Sequence, residues 1–208
     1  MHSKAIKILW HKNLVLFFLL SACFKSPHVE FYTLNSNTFA GKALENVSKL
    51  KDITVGIGSV DIPEYLDRPQ IVTLKGPHQL HLAEFHRWAG RLDTEITKVM
   101  KKNLSILLGT SRVVSFPWDP SEKPEFRVDL TFNHFEGTLG KALRIQGVWR
   151  LSGKGLKGAP LYQQFDQTIT ISGPNYEDLA VAYSKGLWDL SQVISKVISN
   201  NIRISTKK

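Results

Sequence analysis

The chain has 208 residues, with 27 lysines and arginines against 18 aspartates and glutamates, and a single cysteine. That inventory excludes a disulfide-stapled scaffold, a zinc finger and a multidomain enzyme. With 42% apolar residues, 11 phenylalanines and 5 tryptophans there is material for one packed core, and 22% charge is too little for a disordered chain.

The first twelve residues carry Lys4, Lys7 and Lys12 and no acid, and an apolar run from Leu14 to Leu20 follows. A basic start and a short apolar stretch read as a secretory signal, since a spanning helix needs ~20 apolar residues. The exit Leu20-Ser21-Ala22-Cys23 resembles a lipoprotein box, which implies that Cys23 becomes the first mature residue and takes a diacylglycerol on its sulfur. Two or three acyl chains anchor a protein stably where one binds marginally. Phe24 stands where lipoproteins retained at the inner membrane often carry Asp, which favours the outer membrane. The expected organisation is a signal over 1–22, a lipidated tether over 23–30, one domain over 31–202 and a frayed end over 203–208. Removing residues 1–22 leaves 186 residues and lowers the net charge from +9 to +6, because the leader holds three lysines and no acid.

In the mature chain, Phe31 to Leu34 is a brief strand, and Asn35 to Asp52 is a polar loop with one helical turn. Ile53 to Val60 alternates apolar with small residues, a strand whose Gly56 and Gly58 let another group approach closely. Asp61 to Gln70 is a connector stiffened by Pro63 and Pro69. Ile71–Leu74 and Gln79–Leu82 form a hairpin through Lys75-Gly76-Pro77-His78. From Glu84 the apolar residues Phe85, Trp88, Leu92, Ile96, Val99, Leu104 and Leu107 recur at helical steps, which predicts an amphipathic helix ending before Gly109. Gly90 inside it costs up to ~1 kcal/mol, which leaves a start near Leu92 open.

Arg112 to Phe116 is a further strand, followed by a proline-rich break. Alternation over Phe126–Phe132, Leu143–Leu151 and Phe165–Ile171 predicts an antiparallel meander with one wet face, and Gly153 to Gly158 is a turn. A last helix, capped by Asn175 behind Pro174, buries Leu179, Tyr183, Leu187, Leu190, Ile194 and Val197. The predicted fold is α+β, a two-layer sandwich of a mainly antiparallel sheet with both helices on one face.

Catalytic chemistry finds little support. His78, His81, Glu84 and His86 crowd together, but a strand-to-helix change between His81 and His86 would point them apart, so no metal is assigned. Ile171-Ser172-Gly173 lacks the frame of a nucleophile elbow, and no carboxylate pair stands out. The strand Arg144–Arg150, with Trp149 among its basic residues, could stack bases, but the export signal and modest mature charge argue against nucleic acid. The connector is different, because an ordered loop in a compact domain tends to carry function. Pro63, Glu64, Tyr65, Leu66, Asp67, Arg68 and Pro69 are therefore the candidate partner contact, shaped by the prolines and an Asp67–Arg68 ion pair.

Taken with the lipobox and Phe31-Tyr32-Thr33-Leu34, the runs Val60-Asp61-Ile62-Pro63-Glu64-Tyr65-Leu66-Asp67-Arg68-Pro69-Gln70-Ile71-Val72 and Phe85-His86-Arg87-Trp88-Ala89-Gly90 closely resemble the PqiC/YmbA family of ABC-type transport auxiliary lipoproteins. Arg91 stands where the resemblance leads one to expect proline, which puts the local helix start in question. The resemblance implies an outer-membrane-anchored, periplasm-facing component of an MCE-type intermembrane phospholipid transport system. It implies a PqiB-like tunnel partner, a ring of subunits, no catalytic residue and no cofactor. The alternative from a different class is a periplasmic lipoprotein hydrolase.

Overall fold

The structure, a computed structural model, describes residues 28–36, 53–156 and 158–206. The leader, the lipobox with Cys23, and most of the loop expected before Asp52 lie outside the described residues.

Among the described residues the chain forms eight strands and two long helices: β1 (Glu30–Tyr32), β2 (Val55–Asp61), β3 (Gln70–Gly76), β4 (Gln79–Trp88), α1 (Leu92–Leu108), β5 (Val113–Ser115), β6 (Phe126–Thr138), β7 (Ala142–Ser152), β8 (Leu161–Thr170) and α2 (Tyr176–Thr206). They make the α+β sandwich that the pattern predicts, with an open mixed sheet. Antiparallel pairing dominates, β6–β7–β8 being a continuous meander, while β1–β4, β2–β5, β2–β6 and β3–β6 are short parallel contacts.

Strand β6 is the spine. One edge pairs with β7 along its whole length. The other edge is divided: residues 126–131 pair with β2, and Gly137 pairs with β3. The register shift between Phe132 and His134 falls between the two halves, where the extra residue of a bulge re-aims the strand. Phe126, Val128, Leu130 and Phe132 point to the helices before it and Phe135 after it, all of them buried.

Both helices cover that face. α1 buries Leu92, Ile96, Val99, Met100, Leu104 and Leu108, and ends at Gly109, whose φ of 64° a side chain would resist. α2 begins as expected, with Asn175 Oδ1 accepting from the Asp178 N–H at 2.7 Å. The buried Tyr183 hydroxyl donates to the Phe135 carbonyl at 2.8 Å, which fastens α2 to the spine. Gly186 brings the same helix close enough that a Cβ would sit 2.2 Å from Ile145 Cδ1.

One element differs from the sequence pattern. Residues 84–88 belong to β4, and the helix starts at Leu92. Phe85 and Trp88 fit a helical period, but β1 pairs in parallel with this segment, Tyr32 opposite Trp88, and the ladder hydrogen bonds outweigh local preference. Arg91, at the N-cap of α1, has φ −62° and ψ 134°, a conformation that proline would adopt without strain. The helix start is thus the same with either residue.

Candidate functional site: the open face of the sheet

With the helices on one side, the other face of β6–β8 is open, and alternation places Arg127, Asp129, Thr131, Arg144, Gln146, Arg150, Tyr162 and Asp166 on it. The connector predicted as a contact surface folds over the far end of this face, near the C-terminal half of β6. Pro63 precedes a single 3₁₀ turn, Glu64–Leu66. Leu66 is buried in the core, whereas Glu64, Asp67, Arg68 and Pro69 are exposed. The backbone is tied down as well, since the Pro69 carbonyl accepts from the Trp88 N–H at 2.8 Å.

Tyr65 is what holds the turn to the sheet. Its hydroxyl donates to Glu136 Oε2 at 2.6 Å, and that oxygen also accepts the Phe135 N–H at 2.8 Å. The other carboxylate oxygen lies 2.7 Å from His134 Nδ1. Glu136 is only 4% exposed, and a carboxylate so placed is tolerable because both its oxygens are engaged. Burial, and then the neighbouring Glu136 carboxylate, push the Tyr65 phenol well above its ordinary value. The expected Asp67–Arg68 pair is not formed: Asp67 Oδ1 faces Arg91 Nη2 at 3.6 Å instead. The partner comes instead from the N-cap of α1.

The other end of the open face carries a cluster absent from the sequence-derived candidates. Asp129, nearly buried, accepts from Arg127 Nε at 2.8 Å and from the Ser59 N–H at 3.0 Å, and its Oδ2 is 3.7 Å from Arg150 Nη1. Arg127 lies over Trp118 at 5.5 Å and Phe116 at 5.9 Å, and Arg150 lies over Tyr162 at 5.8 Å. The two β2 glycines make this possible. A Cβ on Gly56 would meet Pro124 and Trp118 at 2.7 and 2.9 Å, and one on Gly58 would lie 2.0 Å from Asp129 Oδ1. The signal for the cluster was legible in principle, because Arg127 and Asp129 alternate with the core residues of one strand.

The histidines do not converge. His78 is on the β3–β4 turn, His81 and Glu84 are exposed, and His86 faces α2, stacked on Tyr176 with ring centroids 4.1 Å apart. Tyr32 lies beside them, with its hydroxyl 2.6 Å from Glu30 Oε2 and 2.9 Å from His86 Nδ1, so these side chains clasp β1 to the body. Trp149, which would have to stack in a nucleic-acid reading, is fully buried on the helix side, opposite in direction to Arg144 and Arg150.

A profile of the ABC-type transport auxiliary lipoprotein component matches residues 32–195. The chain belongs to this family. Two crystal structures share the fold. One, of an uncharacterised protein, is 21% identical with a TM-score of 0.66, covering 83% of this chain and 99% of that one. The other, a Xanthomonas campestris protein of the DUF330 family, is 12% identical with a TM-score of 0.64, covering 86% of this chain and 100% of that one. No curated protein matches the chain in sequence. Family membership makes the protein an accessory lipoprotein of ABC-type transport, associated with a membrane and with a transport system; the family is not an enzyme class. No described helix is long and apolar enough to cross a bilayer.

Proposed function

We propose that the protein is an outer-membrane lipoprotein, anchored through Cys23 and facing the periplasm, that docks the tunnel of an MCE-type phospholipid transport system to the outer membrane and so supports membrane integrity. The observation that carries this reading is the family match across nearly the whole described domain. The fold is compatible with it in two ways. β1, the first described strand after the tether, is clasped to the body by Tyr32 and His86, so an anchor on Cys23 would hold the domain at a fixed attachment point. The connector Pro63–Pro69 presents Glu64, Asp67, Arg68 and Pro69 outward from a turn held by Leu66 and Tyr65, an ordered surface suited to a partner. In this reading the tunnel protein is PqiB-like, several copies of the chain surround its distal end as a ring, and no cofactor takes part.

The test is purification of the lipidated protein from envelope fractions with identification of what accompanies it. The expected result is an acylated Cys23 at the mature N-terminus, recovery with the outer membrane, and an MCE-domain protein in the same complex. An N-terminus without acyl mass, or a complex without an MCE-domain protein, overturns the anchor or the docking role respectively.

A further inference from the structure

At the β5 end of the open face two guanidinium groups share one carboxylate. Asp129 is nearly buried, while the side chains of Arg127 and Arg150 keep 38% and 40% of their surface exposed, so what an approaching molecule meets is cationic. Arg150 Nε is buried with no hydrogen-bond partner among the described residues. Around the pair stand Phe116 and Tyr162, 60% and 66% exposed, and Trp118. The flanking Asp119 carboxylate is turned into its own 3₁₀ turn, accepting from the Ser121 N–H at 2.8 Å.

We propose that Arg127, Arg150, Phe116, Trp118 and Tyr162 form the docking surface for an acidic segment of a protein partner. Three observations favour that occupant. Two cations against a single, already shared anion leave an uncompensated positive charge, which a carboxylate on the partner would neutralise through the planar fork of arginine. The residue set of Trp, Tyr and Arg around a half-desolvated centre is the one that dominates protein interfaces. Both arginines are held against aromatic rings and Asp129, so binding would cost little further side-chain entropy. The surface also lies away from β1, which reaches β6 through β4 and β3 at Gly137: the ten residues from there back to Arg127 span about 33 Å.

The inference deepens the docking role and rests on it. The experiment immobilises the periplasmic part of the PqiB-like tunnel protein and measures binding of the full lipidated chain in detergent, with Arg150→Glu and Tyr162→Ser as variants. Tyr162 is solvent-exposed and Arg150 half-exposed, and an unchanged melting profile verifies their folding. Wild type is expected to bind with an affinity that falls as salt rises, and each variant to bind about tenfold or more weakly. Wild-type affinity in both folded variants overturns this surface and leaves the docking role standing. Absence of binding by wild type removes the docking role and this surface with it. If Arg150→Glu instead abolishes capture by phosphatidylglycerol vesicles while leaving tunnel binding unchanged, the surface is a lipid contact and the protein-partner assignment falls.

Discussion

Replacing Gly58 by alanine should destabilise the fold even though no special backbone conformation is needed there. Gly58 is not among the positive-φ glycines, so the cost is purely steric. The added methyl would stand 2.0 Å from Asp129 Oδ1 and 3.0 Å from Cγ, and the pairing of β2 with β6 on either side prevents the backbone from yielding. Asp129 must therefore rotate away, leaving the Ser59 N–H and Arg127 without their acceptor. The stranded N–H costs ~1–3 kcal/mol, and the half-exposed ion pair adds up to about 1 kcal/mol. Against this, removing a glycine restricts the unfolded chain and returns ~0.4–1 kcal/mol. The net expectation is a loss of about 2 kcal/mol. In urea unfolding monitored by circular dichroism the midpoint falls with an unchanged slope. A double-mutant cycle isolates the cause: in an Asp129→Ala background there is no carboxylate to collide with, and Gly58→Ala should cost less than about 0.5 kcal/mol. Additive effects, or a single variant as stable as wild type, would refute the steric account.

Tyr65→Phe removes the hydroxyl from a carboxylate that is almost wholly buried, and a hydrogen bond to a charged group contributes ~1.5–3 kcal/mol; the melting temperature should drop accordingly, and a change below about 0.5 kcal/mol would show that the turn does not depend on Glu136. At the start of α1, the Arg91 guanidinium, seconded by the Thr94 N–H, holds the Asp93 carboxyl below the usual carboxylate range. A depressed folded-state pKa means that this contribution is complete above about pH 4 and fades as the pH falls through the depressed value. Arg91→Ala should therefore be slightly less stable than wild type at neutral pH, and the gap should close on acidification; a gap that persists at about pH 2 would exclude the ion pair as its source.

The strands were legible where one face is buried and the other wet. β6, β7 and β8 each alternate, yet all three run further than their apolar residues suggest: β8 starts at Leu161 because Tyr162, Gln163 and Gln164 continue the ladder with β7 although they carry no hydrophobic signal. The α1 start was ambiguous for a physical reason. Phe85 and Trp88 satisfy a helical spacing as well as a strand, and what decides between them is Phe31 and Tyr32, more than fifty residues earlier, pairing with Arg87 and Trp88. Local pattern cannot carry that information.

The same limit applies to the open face, in a graded way. Gly56 and Gly58 announced that something must lie against β2, and this is true: Trp118 with Pro124 over the first, Asp129 over the second. Which groups lie there depended on β6 pairing beside β2, a contact between residues some seventy positions apart. The connector was recognisable from its prolines, but the residue that secures it, Glu136, lies beyond the Phe126–Phe132 alternation, which if simply continued would put it on the apolar face. Only the bulge after Phe132 brings Phe135 onto the core side and turns the Glu136 carboxylate to the face where Tyr65 can reach it. Were Asn133 taken into a regular ladder instead of being bulged out, the two faces would exchange, sending Glu136 toward the helices and Phe135 into water, so that one residue of register is what gives the connector its hold on the sheet.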